Sequence, residues 1–219
     1  MAIAHSSTVE DYIIAIYRMW ANGEPVLGAR LAEHLGVAPA TVTEMVARLR
    51  NQGLLTAGRA IELSPSGLRL ARALASRHRL AERFLVDVLG FAWDEVHEEA
   101  HRLEHAMSPR VTERLAALLG HPATCPHGHP IMEEGNAEPE LHLQPLTSLS
   151  PGSTGTVRRI AHEEAELLSL LTSLGIGIAT EVRVTTRAAS SAALGIEVSG
   201  TPQQIPVDTA AAVLVEPSS

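Results

Sequence analysis

The sequence predicts a mainly α-helical protein with a small C-terminal β domain. Three observations carry that expectation. Residues 28–63 read as two short helices around a glycine turn followed by a hairpin, the order of a winged helix-turn-helix. Residues 65–119 carry long amphipathic helical patterns in which His and Glu recur at helical spacing. Residues 146–219 break into short apolar stretches separated by turn residues, the pattern of a small β-barrel.

The first helix is expected over 8–21. Ser6, Ser7 or Thr8 can cap it, Glu10 and Asp11 suit its N-terminal dipole, and Val9, Ile13, Ile16, Tyr17 and Trp20 form its apolar stripe. A second helix follows Gly28 and turns through Gly36, and Pro39 then opens a third. Leu31 and Leu35 face Val42, Val46 and Leu49 in a shared core, which leaves Thr41, Thr43 and Glu44 outward. Gly53–Leu63 reads as two short strands turning at Ala57-Gly58-Arg59, a wing.

Helices are then expected at 65–88 and 93–119. Leu80, Ala81, Phe84, Leu85, Val88 and Leu89 give the first of these more apolar surface than a two-helix hairpin can cover, so a homodimer is expected. Prolines at 122, 126, 130, 139, 145 and 151 mark a loop and linker. Beyond it, strands are expected at 155–160, 181–186, 194–198, 204–207 and 212–216, with one helix from Glu163 to Ser173.

Aromatic residues make up only 3% of the 219, so the cores must be aliphatic. No apolar run is long enough to span a membrane. The segment MAIAHSSTVEDY has no basic region ahead of an apolar one, so no signal peptide is expected. The single Cys125 excludes an internal disulfide and suits a reducing cytoplasm. Net charge is −8, against gross nucleic-acid affinity, but it is uneven. Residues 1–75 carry seven Arg and six acids, whereas residues 76–145 carry six Arg and twelve acids. The acidity gathers where the His/Glu pattern lies, a field suited to a cation.

That pattern is His97, His101, Glu104 and His105, at i, i+4, i+7 and i+8. These side chains fall within an arc of about 100° on one helical face. His78 and Glu82 repeat the i, i+4 spacing one helix earlier. Imidazole and carboxylate are the ligand set of divalent transition metals. A single helical His is more often a surface or satisfied core residue, and the chain has 11 histidines. Six potential ligands on neighbouring helices nevertheless point to a bound metal.

Together these features resemble the diphtheria-toxin-repressor family of metal-dependent transcriptional repressors, nearer its manganese-responsive branch. The resemblance runs over nearly the whole chain. It is strongest at Glu10-Asp11-Tyr12, Ala38–Thr43, Arg77–Leu85, Asp94–Ala100 and Glu104–Ser108. It implies a winged helix-turn-helix domain at 1–73, a helical dimerisation and metal-binding domain at 74–140, and an SH3-like (FeoA-type) barrel at 141–219. It implies two metal sites. A primary site takes Asp11, His101, Glu104 and His105, and an ancillary site takes His78, Glu82 and His97 with Glu163 and Glu166 from the barrel domain. Cys125, His127 and His129 could form a metal clip, but the prolines between them fix directions that need not converge and no fourth ligand is near in sequence, and the resemblance assigns the two histidines to an inter-domain loop.

Iron-responsive members usually have Met and Cys where this chain has Asp11 and His101, and manganese-responsive members Asp and Glu. Some of the latter add an acid where this chain has Ile14. By ligand hardness Mn²⁺ is expected first and Fe²⁺ second, with Co²⁺ and Zn²⁺ as substitutes. The metal-loaded homodimer is expected to bind a palindromic double-stranded operator and to control metal-homeostasis genes. Ala38, Pro39, Ala40, Thr41, Thr43 and Glu44 would face the major groove, and Arg30, Arg48, Arg50 and Arg59 are candidates for phosphate contacts. Two other readings remain open. A winged-helix regulator of an organic ligand would need an apolar pocket and no metal, and a metallohydrolase would need an open coordination position and a general base.

Overall fold

The computed structural model describes residues 6–21, 23–132, 142–187 and 192–218. The chain divides into two units, residues 1–77 with 132–135, and residues 78–131 with 136–219.

In the first unit, α1 (Ser7–Ala21) buries Val9, Ile13, Ile16 and Tyr17, as its stripe predicts, and Tyr12 in addition. Trp20, at the end of that stripe, is instead exposed. The second helix, α2 (Gly28–Leu35), ends at Gly36, whose φ of +64° lets its N–H reach back to the carbonyls of Ala32 and Glu33. Ala38 is extended, and Pro39 occupies the first turn of α3 (Pro39–Asn51). Leu31, Val42, Val46 and Leu49 close a single aliphatic core with the α1 stripe, Leu54, Leu55, Ala71 and Leu74.

The expected wing strands reduce to one bridge, Leu55 with Leu63, and its two flanking hydrogen bonds, Thr56 N–H to the Glu62 carbonyl and Ser64 N–H to the Leu54 carbonyl, both at 2.9 Å. Ala57, Gly58, Arg59 and Ala60 are exposed, so no cross-strand side-chain pair can stabilise a longer ladder. The Arg50 guanidinium braces the loop by donating to the Ala60 carbonyl at 3.1 Å.

A long helix, α4 (Pro65–Asp87), carries the boundary between the units, after Arg77. The helix expected at 93–119 is two helices, α5 (Val96–Ala106) and α6 (Pro109–Leu118). Pro109 has no N–H to continue α5, and the Ser108 hydroxyl accepts from Val111 N–H and starts α6 afresh. Ala81 and Leu85 of α4 pack on Val96, Ala100 and Met107.

Six antiparallel strands make the C-terminal sheet: β1 (Gln144–Pro145), β2 (Thr154–Ile160), β3 (Glu181–Arg187), β4 (Ala193–Val198), β5 (Thr201–Pro206) and β6 (Val213–Pro217). Their spatial order is β1-β6-β2-β3-β4-β5. Inward residues alternate along β4, where Leu194, Ile196 and Val198 are buried. They close on Leu168 and Leu171 of α7 (Ala165–Ser173). The helix expected from Glu163 begins at Ala165, so Glu163 lies in the segment between β2 and α7. The expected strand at 204–207 stops at Pro206, and α8 (Val207–Ala212) follows with Asp208 in its first turn.

A tight hairpin at Thr124–Pro130 is held against this sheet. Cys125 N–H donates to the His129 carbonyl at 2.9 Å, and Ile160 N–H of β2 donates to the His127 carbonyl at 2.9 Å. Gly128 turns the hairpin at φ +85°, where a Cβ would sit 2.0 Å from the Arg158 carbonyl oxygen. No helix among the described residues is long and apolar enough to cross a membrane.

Candidate metal centre and nucleic-acid face

Helical spacing stacks His78 over Glu82 on α4, and the first turn of α5 carries His97 alongside them. His78 Nε2 lies 3.1 Å from Glu82 Oε1 and 3.2 Å from His97 Nδ1. Glu163 completes the group, with Oε2 3.2 Å from His97 Nδ1. One donor atom from each of these four residues falls within 4.8 Å of the others. Glu166 is not among them. It is exposed in the first turn of α7, because the helix starts after Glu163 and the two acids do not share a helical face.

Sequence reasoning left the proline hairpin out of this centre, and the structure brings it in. His127 is fully buried, with Nδ1 3.6 Å from both Glu82 Oε2 and Glu163 Oε1, and Nε2 2.8 Å from the Trp93 carbonyl. His129 Nε2 is 3.5 Å from Glu163 Oε1. Glu82, Cys125, His127 and Glu163 therefore form a second potential ligand set that shares both carboxylates with the first. The Cys-Pro-His-Gly-His spacing was the available signal. What it could not show is that β2 clamps the hairpin over α4.

The electrostatics are those of a centre built for a cation. Burial by itself would raise the Glu82 carboxyl, but the adjoining imidazoles of His127, His78 and His97 hold it well below the usual carboxylate range. Glu163 is pulled down to about 2 by the surrounding histidines, against burial and the charge of Glu82. Conversely, burial opposes protonation of both rings, yet Cys125, Glu82 and Glu163 push His127 up to about 11, and Glu104 and Glu82 push His78 up to about 9. His129 goes the other way, to about 4, through burial and the charges of Arg79 and Arg159. Burial pushes the Cys125 thiol up. Without metal, protons on the imidazoles thus balance the buried acids.

These residues fit a divalent ion. Glu82 is fully buried, and its Oε2 accepts no hydrogen bond. The His₂(carboxylate)₂ set suits Mn²⁺, Fe²⁺, Co²⁺ or Zn²⁺, and the set with Cys125 adds a thiolate that favours softer ions.

The other predicted ligands of this unit gather around Glu104, which is buried on α5. His101 Nδ1 lies 3.0 Å from Glu104 Oε1, and His105 Nε2 lies 3.7 Å from the same oxygen. Glu104 Oε2 is 3.0 Å from His78 Nδ1, and that carboxyl is lowered, against burial, by His78 and His101. Asp11 is half-buried on α1, in the first unit.

On the first unit the predicted DNA-facing residues Ala38, Pro39, Ala40, Thr41, Thr43 and Glu44 are all exposed at the N-terminal end of α3. The Thr43 hydroxyl donates to the Pro39 carbonyl at 3.0 Å and keeps its lone pairs available. Arg30, Arg48 and Arg59 are exposed, and Arg50 is occupied with the wing backbone.

Three family models match consecutive stretches of the chain. They describe the iron-dependent repressor N-terminal DNA-binding domain (residues 5–59), the iron-dependent repressor metal-binding and dimerisation domain (residues 64–133), and the FeoA domain (residues 144–217). The iron-dependent repressor IdeR of Mycobacterium tuberculosis is 39% identical over 222 residues, covering 95% of this chain and 96% of the relative. The diphtheria toxin repressor of Corynebacterium diphtheriae is 33% identical over 195 residues, covering 82% and 85%. A solved structure described as a manganese-dependent transcriptional repressor complex with manganese superposes with a TM-score of 0.88 at 36% identity, covering 96% of this chain and 100% of that one.

Proposed function

Because the chain belongs to the iron-dependent repressor family of metal-dependent transcriptional repressors, whose members are regulators and not enzymes, we propose that Mn²⁺, or failing it Fe²⁺, switches its grip on a palindromic operator. The observation that supports metal control most directly is the pair of buried carboxylates, Glu82 and Glu104, each ringed by imidazoles. Such an arrangement is costly for a fold alone and is well suited to a cation.

In this reading the regulatory ion takes Asp11 from the first unit with His101, Glu104 and His105 from the second. The ancillary ion takes His78, Glu82, His97 and Glu163. An ion that draws ligands from the DNA-binding part and the dimerising part has different affinities for their mutual arrangements, which is what coupling to DNA binding requires. Four carboxylates favour a hard ion, which puts Mn²⁺ first, and imidazoles keep Fe²⁺ second. The relatives divide the same way, since IdeR is named for iron and the superposed structure for manganese.

The first unit would lay the N-terminal end of α3 in the major groove, with Thr41, Thr43 and Glu44 toward base edges. Arg30, Arg48 and Arg59 would take phosphates, while Arg50 holds the wing. The partner copy would cover Val88, Leu89, Val111 and Leu118, large apolar side chains that the second unit leaves about half exposed or more. A regulator of this kind works in the cytoplasm, where its operators are.

An operator selected from random duplex DNA with Mn²⁺ present supplies the test. Binding should respond to Mn²⁺ and to Fe²⁺ under anaerobic conditions, and a chelator should abolish it. Asp11→Ala should weaken metal-dependent binding at least tenfold, about 1.4 kcal/mol, while sedimentation still shows a dimer. An unchanged metal response would remove Asp11 from the site. Indifference to chelation would favour an organic ligand instead.

A further inference from the structure

Arg50 stands where the outward face of α3 runs out. Two helical turns separate it from Thr43, which returns it to within about 20° of the same direction, roughly 10 Å further along the axis. Thr43 and Ala47 on that face are exposed, and Arg50 is half-buried. A basic side chain at this place suits a phosphate. Its Nη2 instead donates to two carbonyls of the wing, Ala60 at 3.1 Å and Arg59 at 3.5 Å.

The wing has little else to hold it. Its base is closed by the Leu55–Leu63 bridge and by Ser64, whose hydroxyl donates to the Gly53 carbonyl at 2.6 Å. Ile61 packs in part against the core. Beyond these, residues 57–60 are exposed and make no backbone–backbone hydrogen bond among the described residues. That stretch carries Arg59, the one basic residue between Gly53 and Leu63.

We propose that Arg50 is a positioning residue for operator binding, which ties the wing to the recognition helix so that Arg59 meets the DNA backbone beside the groove that α3 enters. The proposal deepens the DNA-binding reading above and rests on it. A loose wing must be ordered when DNA binds, and that cost subtracts from affinity. A guanidinium already joined to the loop removes much of it in advance. The tie takes main-chain carbonyls, so it fixes the backbone at Arg59 and leaves the Arg59 side chain free. Because the strut grows from α3, the spacing between Thr41 and Thr43 at base edges and Arg59 at a phosphate is set within one unit.

Trypsin gives a readout that needs neither metal nor DNA, since Arg50 holds the carbonyl of the Arg59–Ala60 bond that the protease must enter. In limited digestion of the full chain, Arg50→Met should be cut after Arg59 about tenfold faster than wild type, with an unchanged denaturation midpoint. Arg50→Lys keeps the charge but not the planar fork, so its protection should fall between the two. On the operator selected with Mn²⁺, Arg50→Met and Arg59→Ala should each weaken binding about tenfold. Each should also lower the slope of log affinity against log salt by about two, for a dimer with two wings.

The double variant should bind no more weakly than Arg59→Ala alone, because a strut acts only through the residue it positions. Losses that multiply would mean that Arg50 touches DNA itself, and would overturn the proposal. So would wild-type resistance to trypsin in Arg50→Met, or wild-type affinity in an Arg50→Lys wing cut as fast as that of Arg50→Met. Failure of wild type to bind any duplex with any metal would overturn the DNA-binding reading and the proposal together.

Discussion

Glu82→Gln is expected to cost the metal-free protein about 3–5 kcal/mol of stability and to remove one bound ion per chain. The side chain keeps its shape and loses only its charge. That charge is what His78 and His127 lean on, and both rings are buried. Left without it, His78 keeps only Glu104 and His127 only Glu163 as an acidic partner, and the weakened pairing of two buried rings destabilises the fold. Denaturant unfolding in the presence of a chelator measures the first effect, and metal content after dialysis measures the second. Glu166→Gln supplies the contrast. Its carboxylate is exposed on α7, so stability and metal content should match wild type. If Glu82→Gln unfolds like wild type, the buried cluster is not held by ionic pairing.

Gly128→Ala should destabilise the chain by about 2–4 kcal/mol, the combined cost of a left-handed backbone for a residue with a Cβ and of a steric overlap. The overlap is with backbone, the Arg158 carbonyl, so no rotamer relieves it. The hairpin can only lift from β2, and the hydrogen bond from Ile160 N–H to the His127 carbonyl is the first to go. His127 would leave Glu82 and Glu163, and Cys125 would come out of the interior. A thiol reagent should therefore label Cys125 in the variant far faster than in wild type, alongside a lower denaturation midpoint. Equal labelling would mean that the hairpin accommodates the methyl group without detaching.

Both predictions concern residues whose importance was unequally visible in the sequence. His78 and Glu82 are one helical turn apart, and so are His97 and His101, so a 3.6-residue period places each pair on a face without knowledge of the fold. The helix-turn-helix was legible for the same reason: Gly36 and Pro39 mark local conformations, and the core stripe of α3 repeats with the helix. The wing is present, but its strands are shorter than the turn signal suggests, because Gly53–Leu63 has too few side chains to pair across it. The break between α5 and α6 is marked by Ser108-Pro109, which interrupt an otherwise continuous helical period.

Acids outside the helices show the limit. Glu163 and Glu166 have the spacing of one helical face, and only the true start of α7 separates their fates. Cys125 and His127 sit among prolines, where no period predicts direction.

The sequence by itself determined the fold class, the family, and every ligand pair carried by a single helix, because those depend on contacts within a few residues of chain. Tertiary structure alone decided which pairs meet. The sheet had to form before Glu163 could face His97, β2 had to clamp the hairpin before His127 could reach Glu82, and α4 had to pack on α5 before one imidazole could serve Glu82 and Glu104 together. Those meetings join residues far apart in the chain, and no local rule encodes them.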